Sequence, residues 1–442
     1  MRKFRSAVLG SKKGAMSSAV RSVFNVVLET PVISNAPITI GTLAFVPYSD
    51  VPPSFSYSEE WLTYEVAFRL GPDLELFRGP HHPFPGQKVF GFMADASPDR
   101  WGQRLLARRE SGLARREGRR PRALYGGDIL LGVEDETRMG AIRYRRQDTS
   151  EFMARSEYLV PPLTHLRRLE QAARRFESTY RKGIDGDDRE LMELFAPGSS
   201  MGGARPKAVV EHEGRLHLAK FPSADDGRDM GGWEYLVYTL ARDVGVTVAN
   251  AHCMASARSQ RIFLSERFDR NGAQRLHYAS AMTLLGRHDH DDTASYLDLA
   301  ELVASGGARG HVASDLKELF TRVAFNVAVG NRDDHLRNHG FLRHPTGWRL
   351  SPAFDVNPNP EKRDHQLAID EDDHEGDLKC VAGTCRHYQL KTVEAEAVID
   401  HVMEVVGTWR ERARAVGLKA SEIELMEDAF IDPSPDGGKK RK

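Results

Sequence analysis

Gly330-Asn331-Arg332-Asp333-Asp334-His335-Leu336-Arg337-Asn338, followed by Leu350-Ser351-Pro352-Ala353-Phe354-Asp355, is the stretch around which this chain of 442 residues is organised. An apolar series runs into it: Leu316, Leu319, Phe320, Val323, Ala324 and Val327 recur at helical spacing. Gly330 then fits a helix stop, because glycine takes a positive φ without a Cβ penalty. His339-Gly340-Phe341-Leu342 predicts a strand, His344-Pro345-Thr346-Gly347 a turn and Trp348-Arg349-Leu350 the returning strand. The pattern is therefore a carboxylate, an amide five residues later, and a second carboxylate beyond a hairpin.

That ordered set suits phosphoryl transfer. A carboxylate at Asp333 can accept or orient the proton of an attacking hydroxyl. Asn338 and Asp355 offer oxygen ligands to Mg²⁺, a hard cation that bridges nucleotide phosphates. One D-x-x-x-x-N alone is common; the leading helix, the hairpin and the second Asp supply the specificity.

The rest of the composition sets bounds. The length predicts two to three domains or lobes. Lys+Arg of 62 against Asp+Glu of 63 give no global charge that would advertise nucleic acid as a partner. Three cysteines, Cys253, Cys380 and Cys385, cannot make a disulfide framework, which fits a reducing, cytoplasmic setting. No apolar run approaches the ~18–20 residues of a membrane span.

Residues 1–36 are basic, with Glu29 the first acid, and read as a loose tail. Residues 37–150 read as a β-rich domain. Ile38–Val46 and Phe55-Ser56-Tyr57 are its first strands, and Ile129–Val133 and Gly140–Tyr144 close it. Between them Asp99 opens a helix, and nine arginines in residues 100–122 read as a solvated face. Residues 151–195 read as a helical connector.

Ser199-Ser200-Met201-Gly202-Gly203-Ala204-Arg205-Pro206-Lys207 is the second informative stretch. Its glycines let backbone N–H groups approach phosphate oxygens. It is neither a Walker A loop nor G-x-G-x-x-G. Ala208–Val210 and His217–Phe221 read as paired strands across a Glu211–Gly214 turn, and Lys220 near the end of the second is placed like the strand lysine of kinases. Glu234 opens the next amphipathic helix and could orient that lysine. Ile262 to Arg270, with Glu266 and Phe268, falls where a kinase linker would contact adenine through its backbone. The domain reading is then 151–275 for a nucleotide-binding lobe, 276–430 for a helical catalytic lobe and 431–442 for a disordered tail.

Taken together, these pieces resemble the HipA family of bacterial serine/threonine kinases, the toxin halves of HipA–HipB modules. The likeness is carried by Ser200 to Lys207, Ala219-Lys220-Phe221-Pro222, Glu266-Arg267-Phe268-Asp269-Arg270, Ser295 to Leu299, Asp333 to Asn338 and Leu350 to Asp355. Gly41-Thr42-Leu43, Asp99-Arg100-Trp101-Gly102 and Leu130-Leu131-Gly132 extend it towards the N-terminus. The resemblance implies an α+β fold: a two-lobed, protein-kinase-like core, with an antiparallel N-lobe sheet and a helical C-lobe, behind an N-terminal β-rich domain. It implies Asp333 as catalytic base, Asn338 and Asp355 as Mg²⁺ ligands, and ATP held by Lys220, Lys207 and the Gly202-Gly203-Ala204 turn. Ser200 matches a serine that the family autophosphorylates. His335 matches a loop histidine with a packing or hydrogen-bonding role. The implied partners are a protein substrate, with aminoacyl-tRNA synthetases among the family's targets, and a HipB-like helix-turn-helix antitoxin, with DNA reached only through it. Two departures are Asp334, a second carboxylate, and Val356-Asn357 after the second metal Asp. A small-molecule phosphotransferase, or a degenerate kinase acting as a binding module in an antitoxin–DNA complex, are the alternatives.

Overall fold

The computed structural model describes residues 20–153, 160–182, 203–257, 259–289, 291 and 293–431. The expectations for Ser200 and Gly202, for residues 1–19 and for 432–442 lie outside these.

The chain is an α+β protein with three main antiparallel sheets. The first contains β1 (Ser22–Leu28), β2 (Ile38–Phe45), β3 (Ser54–Tyr57) and β4 (Ile142–Arg146) in the order β3-β2-β1-β4. The loose-tail reading of residues 1–36 is therefore wrong for its second half. β1 pairs with β2 on one side and β4 on the other, and Val26, Val27 and Leu28 are buried. Its valines and Phe24 suit a pleated surface, and the basic flank concealed that signal. A second correction concerns Ile129–Val133. Residues Gly126–Leu131 form a helical turn, with Asp128 accepting from the amides of Tyr125 and Tyr48 at 3.1 and 2.9 Å.

The second sheet is the N-lobe: β5 (Lys207–His212), β6 (Arg215–Lys220), β7 (Ala251–Ala255) and β8 (Arg261–Glu266), ordered β5-β6-β8-β7. Glu213 and Gly214 both take positive φ, 52° and 74°, which is what a two-residue turn between twisted strands demands. Helix α1 (Arg100–Arg116) and helix α2 (Leu166–Arg181) pack on this lobe. Trp101, Leu105, Leu166, Leu169 and Phe176 share a core with Ala208, Val210 and Ile262. The expected connector is thus part of the lobe. Helix α3 (Met230–Val244) starts on the Asp229 carboxylate, which accepts from Gly232 N at 3.1 Å, and ends at Gly245 with φ 93°.

A two-stranded ribbon, β9 (Arg270–Asn271) with β10 (Gln274–Arg275), leads to the C-lobe. There β11 (Tyr278–Ser280), β12 (Gly340–His344) and β13 (Gly347–Leu350) form the third sheet beside helices α4 (Tyr296–Gly306), α5 (Val312–Val329) and α6 (Thr392–Val406). Leu316, Leu319, Phe320 and Val323 on α5 are fully buried. Gly330 ends α5 at φ 64°, and a Cβ there would collide with the Ala429 carbonyl, so both backbone and space require glycine.

One hydrophobic core runs from the first sheet through α3 into the C-lobe. Buried His277 sits within it, its ring 5.3 Å from Phe68 and 5.5 Å from Trp348. Burial, with Arg343 nearby, lowers its pKa to about 3.

Two tests follow from this packing. Leu28→Ala should cost about 2–5 kcal/mol in urea unfolding, because β1 is central; a loss near zero would remove β1 from the core. For His277 the unfolded chain gains its proton near pH ~6.5 and the folded chain only near 3. Its contribution is therefore complete above about pH 6.5 and declines as pH falls towards 3, by up to about 1.4 kcal/mol per pH unit. Unfolding midpoints across that range should drop for the natural chain and drop less steeply for His277→Phe.

Candidate active site

The site is built around one ammonium. Lys220, at the end of β6, donates to Glu234 of α3 at 2.5 Å and to Asp355, beyond β13, at 2.6 Å. Burial works against the Lys220 charge, but the Asp355 and Glu234 carboxylates outweigh it and raise its pKa above the ordinary lysine value. Burial also opposes the Asp355 carboxylate; the Lys220 charge overcomes it and brings that pKa down to about 2. Glu234 goes the other way, since burial raises its pKa and Lys220 offsets this only in part. Asp355 is thus the firmly ionised partner, and it sits in the left-handed region at φ 57°. A non-glycine residue there is strained, a condition that clusters at functional sites.

Two cavities meet at this ion pair. One lies between the N-lobe sheet and the C-lobe and is lined by Leu218, Phe263, Phe268, Phe354 and Asp355 among others. Its walls suit a flat apolar ring, and Phe268 and Phe354 stand 5.4 Å apart on one side. The other is polar and is lined by Gly203, Arg205, Lys207, Lys220, Asp355 and Asn357. Gly203, at φ 92°, presents backbone on that wall.

Several expected ligands have other partners. Lys207 is buried and pairs with Asp99, the N-cap of α1, and the Trp101 indole donates to the Lys207 carbonyl at 3.0 Å. Glu266 pairs with Arg215 at 2.8 Å and accepts from Asn250 at 2.9 Å. The amides of Glu266 and Arg267 already donate to the carbonyls of Asn250 and Leu216, so a base in the apolar cavity would not be read by those two groups. Ala204 lines a different cavity, with Trp101 and Arg104.

The loop after α5 carries the remaining candidates. Asp333 is exposed; it pairs with Lys362 and accepts from Asn359 Nδ2 at 2.6 Å. Asp334 points the opposite way and is buried. It accepts from Tyr296 Oη at 2.6 Å, Asn326 Nδ2 at 2.8 Å and His339 Nε2 at 2.7 Å. Burial disfavours its charge, but His339 and Tyr296 outweigh that and hold its pKa below the usual carboxylate value. Asn326 also accepts from Asn331, whose own oxygen accepts from the Asn357 amide at 3.3 Å. The network so links the Asp333 loop to the segment after Asp355. His335 has a buried Nδ1 with no protein partner. Asn338 is buried and lines a small cavity with Asp334, His339, Phe354 and Val356, while Asp355 between the last two faces Lys220.

The family relationship can now be stated. The model of a HipA-like C-terminal domain matches residues 199–409. These residues, a little under half of the chain, are thus similar to the C-terminal domain of the HipA family. It is 27% identical over 149 residues to "Putative kinase Y4mE" of Sinorhizobium fredii (strain NBRC 101917 / NGR234), covering 31% of this chain and 33% of that one. It is 26% identical over 194 residues to a "Putative kinase" of Haemophilus influenzae (strain ATCC 51907 / DSM 11121 / KW20 / Rd), covering 37% and 54%. The matches thus span about a third and about half of these relatives. Among solved structures, HipA of Shewanella oneidensis MR-1, in complex with HipB and operator DNA, aligns over 90% of this chain and 94% of its own. The TM-score is 0.60 at 18% identity, a likeness of fold. Among the described residues, no helix is long and apolar enough to cross a membrane.

Sequence reasoning flagged Asp334 only as a departure from the HipA pattern; its partners lie on α4, on α5 and immediately before β12. Asp334→Ala would leave three buried donors without their acceptor and should cost about 3 kcal/mol in denaturant unfolding, with Asp334→Asn milder. A loss below about 1 kcal/mol for the alanine variant would show that the network does not hold the loop.

Proposed function

We propose that this protein is an ATP-dependent kinase that phosphorylates a serine or threonine of a protein target and its own Ser200. The observation that carries the reading is the Lys220 ammonium fixed between Glu234 and Asp355 where an apolar cavity meets a polar one. A triphosphate nucleotide has that division of character: its base suits the wall of Leu218, Phe263 and Phe268, and its phosphates suit Lys220 and the Gly203 backbone. Asn357 lines the polar cavity and Asn359, two residues on, donates to Asp333, so one short segment spans both.

Mg²⁺ fits the donors present. Asp355 is ionised, carries a strained backbone that fixes its carboxylate, and offers oxygen to a hard cation. Asp355 would hold the ion, which would supply charge neutralisation at the phosphate oxygens; Asn338, the other expected ligand, lines the small cavity with Asp334 instead. The protein's own work is positional. Lys220 holds the phosphates, and Glu234 keeps Lys220 aimed. Asp333 accepts the proton of the incoming hydroxyl as its oxygen bonds to the terminal phosphorus and ADP departs. Ser200 precedes Gly203 by three positions in the sequence; a dianionic phosphate on it would compete with those of ATP and shut the enzyme down. A HipB-like antitoxin and growth arrest complete the reading, supported by the HipA-like domain match and by the HipB complex of the Shewanella protein of similar fold.

Incubation of the full chain with γ-labelled ATP and Mg²⁺ should label Ser200, and Asp333→Asn should lower the rate by about 10²–10⁴-fold. Unchanged labelling in Asp333→Asn would overturn the role of the base, and no transfer to any protein would overturn the reading.

A further inference from the structure

The partner of Asp333 has no role in the chemistry described so far. Its Oδ1 faces the Lys362 ammonium, and its Oδ2 accepts from Asn359. Both residues belong to the segment after Asp355, which sequence analysis passed over. The placement is built rather than accidental. The Asn359 amide donates to the Gly330 carbonyl at 2.9 Å, and its carbonyl accepts from Arg332 at 2.6 Å. Its side-chain oxygen accepts from the amides of Glu361 and Lys362 at 2.9 and 3.1 Å. The backbone under Lys362 is thereby fixed to the residues flanking Asp333, while its long side chain, 47% exposed, stays free to move.

Phosphoryl transfer needs a cation at this place. Negative charge sits on the equatorial oxygens of the group in flight, and a donor fixed beside them lowers the barrier. Three other cations close to the loop are engaged. Arg332 donates to the carbonyls of Asn359 and Asp428, Arg337 to Asp289, and Lys220 to Glu234 and Asp355. Among the described residues, Lys362 is the cation seated on the base itself. Exposed ion pairs of this kind are weak and exchange readily.

Resting on the kinase reading above, we propose that Lys362 is a further catalytic residue, whose ammonium leaves Asp333 for the terminal phosphate of the bound nucleotide. The exchange does two things. It places positive charge on the transferring group, and it frees Asp333 Oδ1 to take the hydroxyl proton. The bond from the hydroxyl oxygen to phosphorus then forms, the bond to the ADP oxygen breaks, and the proton passes from Asp333 to solvent.

The test uses the full chain, binding calorimetry, amine acylation read by mass spectrometry, and steady-state rates. A non-hydrolysable ATP analogue with Mg²⁺ should slow acylation of Lys362 several-fold, and ADP with Mg²⁺ should not. Lys362→Gln should lower kcat by about 10²-fold with little change in KM for ATP, and Lys362→Arg should restore part of it. Analogue binding without protection of Lys362 overturns the inference and leaves the kinase reading standing. A kcat that is unchanged or raised in Lys362→Gln also overturns it, since it would make the pair a latch. An analogue that does not bind at all overturns both.

Discussion

One lysine charge shared by a buried carboxylate and a half-buried one is the constraint on which the rest of the molecule depends. Lys220 comes from β6, Glu234 from α3 and Asp355 from the segment beyond β13, so a single ammonium ties sheet to helix and upper lobe to lower. The group carries more negative than positive charge, and burial magnifies the imbalance. The opposed shifts of Asp355 and Glu234 express it: the lysine cannot serve both equally. Such an arrangement favours any further cation that arrives. It also explains why Lys207, close enough to help hold the Asp355 pKa down, is kept in place by its own carboxylate, Asp99.

What could be read from the sequence was what is local. The α5 periodicity, the Gly330 stop and the β12–β13 hairpin each depend on residues within a few positions of one another. The pairing of Lys220 with Glu234 spans fourteen residues and was legible because a strand followed by a helix brings such positions together. Asp355 was legible as a carboxylate beyond a hairpin, but its bond to Lys220 crosses 135 residues and leaves no trace in spacing. β1 was missed although its valines were visible, because its partners begin ten and more than a hundred residues later. Asp333 and Asp334 are neighbours with opposite fates. Only their surroundings, solvent for one and Tyr296, Asn326 and His339 for the other, tell them apart.

The Glu266-Arg267-Phe268-Asp269-Arg270 run shows how a recognisable motif can serve a different end from the one expected. Buried Arg267 donates to the Thr137 carbonyl at 2.6 Å and to Asp269 at 2.6 and 2.8 Å. Asp269 in turn accepts from the Gly140 amide at 2.8 Å, and Arg275 donates to the Asp135 carbonyl at 2.6 Å. These side chains satisfy the open backbone of residues 135–140 rather than a ligand. Phe268 lines the apolar cavity, with Glu266 and Arg267 at its edge.

The contact between Asp99 and Lys207 bears on where this polypeptide can be cut. The family-matched segment begins at residue 199, yet eight positions on it holds a lysine with no access to water, whose counterion and whose carbonyl's indole donor both lie a hundred residues upstream. At the other end it stops at Trp409, the ring of which stacks on Phe430 at 4.2 Å. A fragment trimmed to the homology limits would therefore bare one orphan charge and one aromatic face at once. The evolutionary module and the smallest independently folding piece are different objects in this chain.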